Sequence, residues 1–125
     1  MTLFHKLPKD IKYLIKKIVD DQDKKDLARV LEDPRTIKYI QHPSEKVQMT
    51  AVACNEEAIM YIIDPTLKVQ LAAIEKDLWV IRYIQNPFLK VQLIAVTRIG
   101  NTIQYIENPN IQVQIAAVTQ YGWAN

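Results

Sequence analysis

The stretch Asp64-Pro65-Thr66-Leu67-Lys68-Val69-Gln70-Leu71-Ala72-Ala73-Ile74 decides the fold, because it returns at a fixed interval. Its proline has counterparts at Pro43, Pro87 and Pro109, a period of 22 residues. Four residues after each proline stands Val-Gln: Val47-Gln48, Val69-Gln70, Val91-Gln92 and Val113-Gln114. Beyond each lies Ala with Val or Ile: Ala51-Val52, Ala73-Ile74, Ala95-Val96 and Ala117-Val118. A second block completes the unit: Ile37-Lys38-Tyr39-Ile40, Ile59-Met60-Tyr61-Ile62, Ile81-Arg82-Tyr83-Ile84 and Ile103-Gln104-Tyr105-Ile106. Self-similarity at a period of about 20–50 residues marks a stacked array, in which each unit buries its apolar face only against its neighbours. The expected fold is all-α: a small α-solenoid of 22-residue two-helix repeats with an N-terminal capping helix. The expected divisions are a cap at 1–20, a degenerate repeat at 21–42, full repeats at 43–64, 65–86 and 87–108, and an incomplete repeat at 109–125.

Within a unit, the pattern predicts a helix A from the proline to about eleven residues on, then a helix B of about seven. Asp64, Asn86 and Asn108 precede their prolines. Asn or Asp at N-cap with Pro at N1 is a strong helix start, and His42 is a weaker cap in the same place. At about 100° per residue, Val69, Ala73, Ile74, Leu71 and Ala72 surround helix A, so it is the more buried of the two. Gln70 falls between apolar neighbours. Gln48, Gln70, Gln92 and Gln114 are therefore expected as a largely buried, stacked ladder, each bonded to the loop backbone of a neighbouring unit or to the next Gln. Tyr39, Tyr61, Tyr83 and Tyr105 form a second ladder, expected in the core with the hydroxyl at its edge.

The first 42 residues are less regular. Leu7, Ile11, Leu14, Ile15 and Ile18 make the stripe of an amphipathic helix, with Lys9, Lys12, Lys16 and Lys17 mostly off it. The expectation is a cap over the first repeat; a basic amphipathic helix can also meet membranes or acidic partners. Asp20-Asp21-Gln22-Asp23 reads as a polar break before a second helix carrying Leu27, Val30 and Leu31.

Composition excludes several classes. The 125 residues carry 16 Lys and Arg against 14 Asp and Glu, a net charge of +2, too small to argue for nucleic acid alone. The excess is N-terminal: ten Lys/Arg against seven Asp/Glu through Lys38, six against seven after it. Cys54 is the only cysteine, so no intramolecular disulfide forms and a reducing compartment, the cytoplasm, is expected. No apolar run has the length of a membrane span, and the first residues lack the apolar core of a signal peptide. His5 and His42 lie apart with no metal-ligand spacing, no Gly-rich phosphate loop occurs, and Glu56-Glu57 reads as a solvated turn. No enzyme, cofactor or metal is expected.

The run Asp/Asn-Pro-x-x-x-Val-Gln-x-x-Ala-Val, over about residues 33–125, resembles the second helix of HEAT-like repeats and the short repeats of the leucine-rich-variant type. It is similar to repeats of bacteriophage and bacterial proteins of unassigned function. Two features depart from HEAT: the period is 22 rather than about 40–47, and Gln replaces the Arg of the Val-Arg pair. The resemblance implies a right-handed array presenting an extended surface to a protein, such as a host defence factor bound by a phage inhibitor in the host cytoplasm, and less often to nucleic acid.

Function is expected where the units differ. Lys46, Lys68 and Lys90 with Gln112 form one outward stripe, and Lys38, Met60, Arg82 and Gln104 another. Trp79 and Phe88 are aromatics the repeat does not need, and aromatics beside Arg are frequent anchors of protein interfaces; alternatively Trp79 covers a joint between units. The last unit stops after Tyr121 and Trp123, without a helix B. Its apolar side is expected to be covered by those two side chains, or to make a homodimer or partner contact. The leading expectation is a protein-binding module. The alternatives are a nucleic-acid-binding array using the Lys stripe and an assembly protein acting through its C-terminal end.

Overall fold

The computed structural model describes residues 3–120, and among these every regular element is helical. A short 3-10 helix, η1 (Leu3–Lys6), leads into α1 (Lys9–Glu32). Then 3-10 and α-helices alternate: η2 (Pro34–Tyr39), α2 (Glu45–Cys54), η3 (Glu56–Tyr61), α3 (Leu67–Lys76), η4 (Leu78–Tyr83), α4 (Leu89–Arg98), η5 (Gly100–Tyr105) and α5 (Ile111–Gln120). Each α-helix from α1 to α5 packs on the next, and η2 to η5 do the same beside them. The core is one column between these two rows. Val47, Val69, Val91 and Val113 are fully buried, with Ala51, Ala73, Ala95 and Ala117 one turn on, and Ile37, Ile59 and Ile81 close it from the 3-10 side. A ten-residue helix is marginal alone in water; burying that Val-Ala edge on both sides stabilises it.

The helix boundaries differ from the sequence expectation. Helix A does not start at the proline. Its cap is the residue after it: Ser44 Oγ accepts from Val47 N–H, Thr66 Oγ1 from Val69 N–H and Asn110 Oδ1 from Val113 N–H. Phe88 holds this place in α4 without a side-chain bond. The residue before the proline is instead the pivot of the turn: His42, Asp64 and Asn108 have φ of 52°, 52° and 51°. The short polar side chains of Asn and Asp tolerate that left-handed region better than His does. Helix B is a six-residue 3-10 helix, capped where Asp33, Asn55 and Asp77 accept from the N–H two residues on.

The break expected at Asp20–Asp23 is absent; α1 runs through it as one helix of 24 residues. None of those aspartates needs to cap anything, and Asp23 instead accepts from Ser44 Oγ at 3.1 Å. The cap expectation fails with it. α1 packs on α2 and η2, and its residues in that contact include the buried Asp26 and Val30 and the half-buried Leu27. From residue 9 to residue 22 no side chain is buried, and Ile11, Leu14, Ile15 and Ile18 face solvent.

The Gln ladder is real at its centre and frays at its end. Each Nε2 donates to the carbonyl of the proline five residues earlier: Gln48 to Pro43, Gln70 to Pro65, Gln92 to Pro87 and Gln114 to Pro109, at 2.9–3.2 Å. These bonds lie within a unit, not between units as expected. Only Gln70 also reaches its neighbour, its Oε1 accepting from Phe88 N–H at 3.1 Å. Gln48 Oε1 is buried with no protein partner, Gln92 is half-buried and Gln114 is exposed. One tie across a joint is invisible to the repeat pattern: Lys76 Nζ donates to the Ala53 carbonyl at 2.6 Å and pairs with Glu56, closing the C-terminal end of α2.

Two stability measurements check this account. Gln70→Ala removes the partner of the part-buried Pro65 carbonyl and Phe88 N–H, and should lower unfolding free energy by about 1–2 kcal/mol, against under about 1 kcal/mol for Gln114→Ala. His42→Asn should raise it by a few tenths to about 1 kcal/mol, because Asn enters the left-handed region more readily. Urea melts of the variants decide both.

Candidate binding surface

The residues that vary between units fall on two separate rows. Lys46, Lys68 and Lys90 are exposed on α2, α3 and α4, with Gln112 following on α5. Lys38, Met60, Arg82 and Gln104 are exposed on η2 to η5. The second row is joined by the tyrosines, of which Tyr61 and Tyr83 pack against the edge of the core while Tyr39 and Tyr105 are exposed. Tyr39 is 66% exposed, Tyr105 is 37% exposed, and Tyr61 and Tyr83 are half-buried. The reason is the 3-10 geometry. With three residues per turn, the buried positions of η3 are Ala58 and Ile59, followed by Ile62, and Tyr61 is turned to the rim.

Cations lie on these rings. Lys38 Nζ stands 5.0 Å from the Tyr39 centroid and 5.3 Å from that of Tyr61, so one ammonium bridges two units. The Arg82 guanidinium lies 4.7 Å from the Tyr83 centroid. Exposed cation–π contacts of this kind contribute about 0.5–1 kcal/mol and hold the charge in a fixed place. Arg35 nearby is already committed: its side chain and then its backbone N–H donate to Asp33, holding that carboxyl below the usual range.

Between successive 3-10 segments the surface opens into crevices. One is lined by Lys38, Tyr39, His42, Gln48, Tyr61 and Asp64. The next, about 480 Å³, is lined by Met60, Tyr61, Ile63, Gln70, Tyr83 and Phe88. They share Tyr61, Ile63 and Asp64 and so form one groove, with the 89% exposed Ile63 on its edge. Phe88 is 48% exposed there. Trp79 is not in the groove. It is half-buried, and its ring meets Tyr105 edge-on at 6.1 Å, bridging η4 and η5. The sequence could not separate these two aromatics, since neither belongs to the repeated pattern.

The far end of the chain carries a second apolar exposure. Val118 is 39% exposed, whereas Val52, Ile74 and Val96 in the same register are 0%, 2% and 0% exposed. Ile111 and Ile115 of α5 are open beside it. Tyr121 and Trp123, proposed as cover or contact for this face, lie outside the described residues.

Among the described residues no three His, Cys, Asp or Glu side chains are grouped to hold a metal ion, and no helix is long and apolar enough to cross a membrane. No protein family, curated protein or solved structure matches this chain.

The two aromatics should respond differently to truncation. Trp79→Ala should lower stability by about 2 kcal/mol through the lost ring contact and burial. Phe88→Ala, which keeps the N–H bonded to Gln70, should change it by under about 1 kcal/mol. Thermal melts of the two variants make the comparison.

Proposed function

We propose that this chain is a protein-binding module built as a short HEAT-like α-solenoid of 22-residue units, and that its binding surface is the row of 3-10 helices. The observation that carries the proposal is the stripe Lys38, Tyr39, Met60, Tyr61, Arg82 and Tyr83 over an open groove, with cations fixed on the rings. Exposed tyrosines and Arg supply large contact area at low entropy cost, and Met adapts to shape. The fixed cations select acidic side chains, and the groove takes apolar ones beside Phe88. The partner is thus a protein segment carrying both, and it lies across several units at once. The resemblance to phage and bacterial repeats points to a bacterial cytoplasmic partner. No group in the surface has the arrangement of a nucleophile and base, so the module acts by occupying its partner.

A second reading rests on the same exposed rings. Tyrosines flanked by Lys and Arg also stack nucleotide bases, and Lys46, Lys68 and Lys90 could track a phosphate backbone. The two readings part under salt and nuclease. Affinity capture from bacterial lysate should retain one protein with or without nuclease, and lose it with Tyr39→Ala or Phe88→Ala but not with Lys46, Lys68 and Lys90 changed to Glu. Retention that vanishes with nuclease, or binding that falls steeply with salt and with those Lys→Glu changes, would favour nucleic acid and overturn the protein reading.

A further inference from the structure

The tyrosine row sets a length scale for whatever lies along it. One ammonium, Lys38 Nζ, is 5.0 Å from the Tyr39 centroid and 5.3 Å from that of Tyr61, so these two rings stand no more than about 10 Å apart. That agrees with the roughly 8–10 Å between packed helices. A segment crossing the units must therefore present like side chains about once in that distance. A polyproline II helix does so with every third residue, at about 9.3 Å per turn. A β-strand does not, because the side chain three residues on points to the opposite face. Among the described residues there is also no sheet edge to receive a strand. An α-helix returns the same face only after about seven residues, and its backbone carbonyls are already bonded.

The crevices carry matching chemistry. One is lined by Tyr39 and Tyr61, the next by Tyr61 and Tyr83. Lys38 and Arg82 lie on rings two units apart, and Met60 holds the same register between them. The crevice lined by Tyr61 and Tyr83 thus has Met60, Ile63 and Phe88 as apolar walls, a fit for a proline ring. Asp64 lines both crevices and disfavours a carboxylate between the two cations, whereas each cation attracts one at its own end. The exposed Gln41 and Gln85 line the first and the second crevice. Polyproline II has no internal hydrogen bonds, so its carbonyls are free to accept from such amides.

We infer that the partner segment is a polyproline II stretch with a proline in the crevice between Tyr61 and Tyr83 and an acidic residue three positions away on each side, one meeting Lys38 and the other Arg82. This rests on the protein-binding reading of the same row and specifies its partner.

Fluorescence anisotropy of a labelled peptide Glu-Pro-Pro-Pro-Pro-Pro-Glu against the full chain tests it. Saturable, sub-millimolar binding is expected. Exchanging both Glu for Lys, or moving one Glu a single place towards the centre, should weaken binding about tenfold or more. Glu-Gly-Gly-Pro-Gly-Gly-Glu keeps the charges and the central proline but not the stiff backbone, and should bind about tenfold more weakly. Lys38→Glu and Arg82→Glu should each cost about tenfold with an unchanged thermal melt, and Lys38→Glu should regain binding to a peptide with Lys for one of its two Glu. Lys46→Glu, on the other row, should change nothing. Absence of binding at millimolar peptide overturns the inference, as does equal binding of the Gly peptide or of the displaced-Glu peptide. If lysate capture then still retains a nuclease-resistant protein that is lost with Tyr39→Ala, the protein-binding reading stands and only the polyproline partner falls. If capture follows nuclease as well, both fall.

Discussion

The structure depends on the close approach of successive α-helices along one edge. That edge is Val followed by Ala one turn later, in four consecutive helices, and every one of those residues is at most 3% exposed. The small Ala side chain lets the next helix approach, and the β-branched Val fills the space left over. A ten-residue helix cannot close such an edge alone, so each helix is stabilised by the one before it and the one after it. The same constraint explains both ends. In α1 the Val and Ala places are held by Lys25 and Arg29, which are exposed. No further helix of this kind can stack there without burying two charges, a far larger penalty than any packing gain. In α5 the opposite edge carries no charge, and its open register position is Val118.

Against this edge the turns act as fixed spacers. The proline carbonyl is held by the Gln amide of the same unit, and three of the four residues before those prolines take the left-handed conformation. The turn therefore carries the chain from each 3-10 segment into the next α-helix in a similar way. That regularity puts the tyrosines in line on the rim and lets Lys38 lie between two of them. A line of rings and cations along one rim follows from packing rules that concern only stability. The chemistry on it follows from the positions that packing leaves free.

Much of this was legible in the sequence. The period, the all-helical class, the Val-Ala column and the Gln positions all follow from residues that recur because the core recurs. The outward rows at Lys46 and at Lys38 were legible for the converse reason, since solvent imposes no repeat. What could not be read was decided by geometry finer than hydrophobic pattern. The second helix is 3-10 and not α, which leaves Tyr61 and Tyr83 half-buried at the core's edge and Tyr39 and Tyr105 exposed, so that the ladder also forms part of the candidate surface. The helix cap passes from the residue before the proline to the one after it, because Ser44, Thr66 and Asn110 can accept the free N–H while their predecessors turn the chain.

The sequence by itself determined a helical chain whose pattern of residues recurs every 22 positions, with an amphipathic N-terminal segment, because periodic burial leaves a periodic record. Only the tertiary structure decided where that segment goes. Asp20–Asp23 looks like a stop signal, yet polar side chains on the outside of a helix do not end it when no competing cap is formed. The helix runs on, and the stripe that local pattern assigned to the core stands clear of it. Whether an apolar face is buried depends on the reach and direction of the element that carries it, and those are properties of the packed chain, not of the pattern.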